Sequence, residues 1–200
     1  MAINPGIIYG TLVSNRASGG FPMNGVNFDR LALGLANGVC AWGIGQPQNL
    51  GLTGITSGTV GAGIINPGTT KLIVPPTVPV VLGALAGAGM VGPLAESLAV
   101  VVTLSISQAF STAGQYTGPS AGVGLGSDVS KISISNPATL IGLLMTNLTA
   151  ALGPGSALAI MATGLGNGIA SLLLLGMGIG SVNGPPAPSP GAGTSICVVV

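Results

Sequence analysis

The side chains able to do chemistry are few. The charged residues are Arg16, Asp29, Arg30, Lys71, Glu96, Asp128 and Lys131, and histidine is absent. A carboxylate dyad would require Asp29, Glu96 or Asp128 to converge. Asp29 and Glu96 instead open long apolar stretches, where an acidic group complements the positive end of a helix. Near the corresponding point of the third long stretch stands Ser156. Asp128 and Lys131, three apart at the end of a glycine-rich run, read as a local ion pair worth little at a surface. Without histidine there is no Ser–His or Cys–His machinery. Cys40 and Cys197 lie far apart in sequence and form no metal-type spacing, so they read as two buried free thiols of a reducing compartment. The run Gly122-Val123-Gly124-Leu125-Gly126 lacks dinucleotide-fingerprint spacing, and neither lysine follows a glycine as a phosphate loop requires. Met90, Met145, Met161 and Met177 lie in apolar runs and read as core filler. The expectation is a chain with no catalytic residue, no cofactor site and no metal site.

Composition points the same way. Of 200 residues, 4% are charged, 48% are hydrophobic and 3% are aromatic, with 36 glycines, 15 prolines and a net charge of +1. The mean hydropathy is +0.80. Four scattered cations cannot neutralise a phosphate track, which excludes electrostatic nucleic-acid binding. Such hydrophobicity with so little charge is the reverse of ordinary disorder. A soluble domain normally covers itself with charge. This chain must put much of its surface against copies of itself, other proteins or lipid. The opening Met1-Ala2-Ile3-Asn4-Pro5-Gly6 has no basic segment before an apolar run, so synthesis in a cytoplasm without classical export is expected.

The elements that would carry these residues recur in order. Ile8-Tyr9-Gly10-Thr11-Leu12 is echoed by Val81-Leu82-Gly83-Ala84-Leu85 and Leu140-Ile141-Gly142-Leu143-Leu144, each preceded by proline (Pro5, Pro79, Pro137) as at a helix start. A longer apolar stretch follows: Leu31 to Gly43, Ser97 to Phe110, and Ala157 to Leu173. Gly92-Pro93 and Gly153-Pro154 precede two of them. Glycine-rich loops are expected at 53–58, 117–122 and 183–188, and β-prone runs at 69–74, 129–134 and 194–199 close the units. The predicted fold is mainly α with short β strands. Three internal repeats of short helix, longer helix, Gly-rich loop and strand, about 4–74, 75–135 and 136–200, form a single pseudo-threefold domain over 1–200.

Two environments suit this surface. Thr77 to Val102 carries only Glu96, and Ala157 to Gly180 is apolar enough to score as a spanning helix, which suits a membrane-embedded pore or channel-like protein. Against this, the first helix of each unit is short, interfacial aromatic belts are missing, and lipid does not tolerate exposed irregular backbone. Small uncharged residues equally suit a permanent protein interface.

The opening Ile3-Asn4-Pro5-Gly6-Ile7-Ile8-Tyr9-Gly10 and the uncharged Gly/Ala/Thr/Ser character resemble small virion structural proteins of tailed bacteriophages. That resemblance implies a minor tail, baseplate or capsid-associated component located in the virion. Its partners would be copies of itself and neighbouring structural proteins, with membrane contact as the alternative.

Overall fold

The structure is a computed structural model that describes residues 4–18, 26–44, 52–59, 62–65, 71–72, 77–118, 126–134, 136–175, 177–183 and 191–199, with side chains placed at 4–17, 26–41, 77–113, 136–155 and 157–172. Six helices are present: α1 (Pro5–Ser18), α2 (Val26–Ile44), α3 (Val78–Gly87), α4 (Pro93–Ala113), α5 (Pro137–Leu152) and α6 (Ser156–Leu175). Each packs on the one before and the one after, and α6 returns to α1, closing a ring.

Local chemistry sets the helix ends. Asn4 Oδ1 accepts from the Gly6 N–H at 2.8 Å, and Asn136 Oδ1 accepts from the Ala138 N–H at 3.0 Å. Pro5 and Pro137 then open α1 and α5, where no N–H is needed. The end of α3 is a Schellman turn. Gly89 has φ +84°, its N–H donates to the Ala86 carbonyl at 2.9 Å, and the Met90 N–H donates to the Leu85 carbonyl at 2.8 Å. Gly153, with φ +81°, ends α5.

The long helices α2, α4 and α6 carry most of the core, including Leu35, Leu98, Val102, Ile106, Phe110 and Leu165. The shorter helices bury a narrow stripe: Ile8 and Leu12 on α1, Val81 and Leu85 on α3, and Leu140, Leu144 and Leu148 on α5. Glycine brings the two kinds together. A Cβ on Gly34 or Gly38 would stand 3.0 Å from the Cα of Leu85 or Val81. A Cβ on Gly168 would stand 2.9 Å from the Ile8 Cα, and one on Gly164 would stand 3.2 Å from the Leu12 Cα. The α2–α3 and α6–α1 pairs therefore meet backbone to backbone and antiparallel, through Gly-x-x-x-Gly spacings that permit this approach. The α4–α5 contact includes a polar cluster. The Asn147 Nδ2 donates to the Ser105 hydroxyl and to Gln108 Oε1, both at 3.0 Å.

The expected fold class, mainly α with short β strands in three internal repeats of one pseudo-threefold domain, is corrected. Among the residues with placed side chains there are six helices and no strand, and the whole described core is helical. Extended backbone does not close three units as single short runs. It forms one antiparallel seven-stranded sheet of β1 (Leu52–Thr59), β2 (Ala62–Ile65), β3 (Lys71–Leu72), β4 (Gly114–Gly118), β5 (Gly126–Ile134), β6 (Met177–Asn183) and β7 (Gly191–Val199). Their order is β2-β4-β5-β6-β7-β1-β3, with β1 also pairing β2. Among the described residues three strands follow α2 and two each follow α4 and α6, where one closing strand per unit was expected. The segment 53–58, expected as a Gly-rich loop, lies inside β1, and Thr117-Gly118 end β4. Glycine weakens a strand without forbidding one when neighbours pair its backbone groups. Of the runs expected as closing strands, 129–134 lies within β5 and 194–199 within β7, and from 69–74 Lys71–Leu72 form β3 while 69–70 and 73–74 lie outside the described residues. Positions 119–122 and 184–188 lie outside the described residues.

Candidate functional site

The charged residues do not assemble into a reaction centre. Arg16, in the last turn of α1, reaches the first turn of α2, where its Nη1 lies 3.2 Å from Asp29 Oδ1 and its guanidinium carbon 4.9 Å from the Phe28 ring centre. Asp29 is thus engaged in tying two helices together. Glu96 is exposed in the first turn of α4. Asp128 and Lys131, expected at the end of a loop, lie within β5, with Gly180 and Met177 opposite them in register. Ser156 begins α6. Among the described residues no three His, Cys, Asp or Glu side chains cluster as a metal site.

Cys40 is a free thiol, fully buried on α2. Burial pushes its pKa up to about 12, which leaves almost no thiolate at neutral pH. Cys197 lies in β7, opposite Leu52 on one side and Gly180 on the other.

The described residues do form a concave site, at the end of the ring where α2, α4 and α6 begin. A cavity of about 190 Å³ opens there. Asn27, Phe28 and Leu31 of α2 form one wall. Met90 from the Schellman turn, with Leu94 and Leu98 of α4, forms a second. Leu152 of α5 and Ala157, Leu158, Ile160 and Met161 of α6 form the third. Asn27 is the one polar residue in the lining. Phe28 is held in place by the Arg16 guanidinium, and Met90 is placed by the turn at Gly89. Read in sequence as core filler, Met90 and Met161 are only partly buried and line this cavity. The available signal was their position at the ends of apolar stretches rather than in the middle.

The outer surface is the second notable feature. On α4, Leu94, Val100 and Leu104 are 49%, 48% and 45% exposed. Each short helix presents small residues outward: Gly6, Gly10 and Ser14 on α1, Gly83 and Gly87 on α3, and Ala138, Gly142, Thr146 and Ala150 on α5. Among the described residues, a Cβ on Gly10, Gly83 or Gly142 would meet nothing within 4 Å. Of the described helices, α4 is long and apolar enough to cross a membrane, with 56% of its most apolar window buried in the structure. The segment 157–180, read as one spanning stretch, is interrupted: α6 ends at Leu175 and β6 begins at Met177.

No family model, curated protein or solved structure matches the chain.

Proposed function

We propose that this chain is a non-enzymatic structural component of a large protein assembly, a tailed-phage virion at a minor tail, baseplate or capsid-associated position, buried against copies of itself or neighbouring proteins. The observation that carries this reading is the set of exposed glycines at the middle of the short helices. Among the described residues nothing lies within 4 Å of a Cβ at Gly10, Gly83 or Gly142, and all three are exposed. Each costs its helix about 1 kcal/mol relative to alanine. Among the described residues no contact uses the room they leave. Close approach of another backbone does use it, as Gly34, Gly38, Gly164 and Gly168 demonstrate inside the ring. The exposed Val100 and Leu104 would be covered in the same way, and the near absence of charge spares the interface the desolvation of ions.

A membrane-embedded, pore-like role is the second reading, favoured by the 21-residue apolar helix α4. Cryo-electron microscopy of the native material, purified without detergent, separates the two. The assembly reading expects an ordered ring with neighbouring protein backbone against Gly10, Gly83 and Gly142. A chain ordered only inside a lipid or detergent belt overturns it and supports the membrane reading.

A further inference from the structure

We propose that the cavity at the start of α2, α4 and α6 is a binding site for the alkyl chain of a small anionic amphiphile, a medium-chain carboxylic acid, with Arg30 at its rim facing the carboxylate. The inference is independent of the assembly reading. The lining decides the chain chemistry. Phe28, Leu31, Leu98 and Leu158 offer carbon, and Asn27 alone offers hydrogen-bonding atoms. A polar ligand would lose its water without repayment there. Met90 and Met161 are unbranched and polarisable, which suits a flexible chain. Size sets the length. An apolar cavity of about 150 Å³ holds the six carbons of benzene, so 190 Å³ accommodates about eight carbons.

The rim decides the head group. Arg30 is exposed and follows Asn27 by one helical turn, beside the lining residue Leu31. Its guanidinium lies against the α3–α4 turn, with Nε and Nη1 each 3.7 Å from where a Gly89 Cβ would be, next to Met90. Asp29 is engaged by Arg16, and among the described residues Arg30 has no carboxylate partner. An apolar hole beside a cation with no carboxylate partner among the described residues is complementary to an alkyl carboxylate, as a bidentate acceptor for the guanidinium fork.

The test is titration of the full chain, labelled at its methionine methyl groups, with octanoate and separately with octanol, read by nuclear magnetic resonance. Met90 and Met161 are expected to shift saturably while Met145, packed elsewhere on the core, does not. Octanoate is expected to bind with a Kd on the order of 0.1–1 mM and about threefold tighter than octanol. Arg30→Gln removes that preference, and equal affinity of the two ligands for the unmodified chain overturns the head-group assignment. Ala157→Phe fills the cavity and is expected to abolish both titrations. Leu94→Trp, at a half-exposed position of the lining, is the second variant should Ala157→Phe fail to fold, and is expected to weaken both at least tenfold. Absence of saturable shifts at Met90 and Met161, or unchanged titrations in the filled variant, overturns the site.

Discussion

Replacing Gly168 with alanine tests the backbone-to-backbone closure of the ring. Alanine gains about 1 kcal/mol over glycine in a helix interior. Its Cβ would stand 2.9 Å from the Cα of Ile8, closer than real Cβ contacts come, with the Ile8 Cβ 3.5 Å away. A Cα cannot rotate aside as a side-chain tip can, so α1 must move off α6. Ile8 is fully buried, and overpacking of such a contact costs about 1–3 kcal/mol. The net expectation for Gly168→Ala is a loss of about 1 kcal/mol. Gly142→Ala meets nothing within 4 Å and keeps only the helix gain, about 0.5–1 kcal/mol. For a chain of this length each kcal/mol moves Tm by about 2–4 °C. Thermal unfolding followed by far-UV circular dichroism, at a concentration low enough to keep the chain monomeric, should therefore place the two variants about 3–8 °C apart, on opposite sides of the parent. If Gly168→Ala raises Tm as Gly142→Ala does, the close approach of α1 and α6 is refuted.

Further outcomes follow from the same geometry. Arg16→Gln loses both the half-exposed ion pair to Asp29 and the stacking on Phe28, and should cost about 1 kcal/mol, part of it salt-sensitive, in urea unfolding at low and high salt. Ser105→Ala removes the fully buried acceptor of Asn147 Nδ2 while Gln108 remains, so a loss of about 1 kcal/mol is expected, and a neutral result contradicts the α4–α5 polar contact. Cys40 should resist alkylation at pH 8 in the folded chain and react on unfolding. Its folded pKa of about 12 lies above the ordinary value of 9.0. The folded state therefore holds its proton more tightly, and this contribution is complete below pH 9.0 and lost as pH rises toward 12. Cys40→Ala should flatten that alkaline decline in a pH series of unfolding curves.

Some of this architecture was legible from residues. The Asn-Pro pairs at Asn4-Pro5 and Asn136-Pro137 mark the starts of α1 and α5, because cap and proline act within one turn. Asp29 is expected to open the first long helix and does lie in the first turn of α2, but the helix begins three residues earlier at Val26, since Asn27, Asp29 and Arg30 hide the apolar positions Val26 and Phe28. Likewise Glu96, expected to open the second long helix, lies in the first turn of α4, which begins at Pro93. The sheet was hidden because Thr-Gly-Ile-Thr-Ser-Gly at 53–58 has loop composition, and its pairing partners, 191–197 among them, are distant in sequence. The cavity was illegible for a similar reason. Its walls come from three helix starts, the turn at Met90 and the end of α5, and only closure of the ring brings Phe28, Met90 and Met161 together. The motif Gly34-Leu35-Ala36-Asn37-Gly38-Val39 does return as Gly164-Leu165-Gly166-Asn167-Gly168-Ile169, a visible sign of the two close helix pairs.

The central claim is that the outward glycines of the short helices are contact surfaces for other protein chains. Sedimentation velocity of the full chain without detergent, beside a Gly10→Ala, Gly83→Ala, Gly142→Ala triple variant, tests it most directly. The account predicts a discrete soluble assembly for the parent, and a triple variant that dissociates toward monomer although its own helices are stabilised by about 2–3 kcal/mol in sum. A parent that stays monomeric, or a triple variant that assembles as well as the parent, would contradict it.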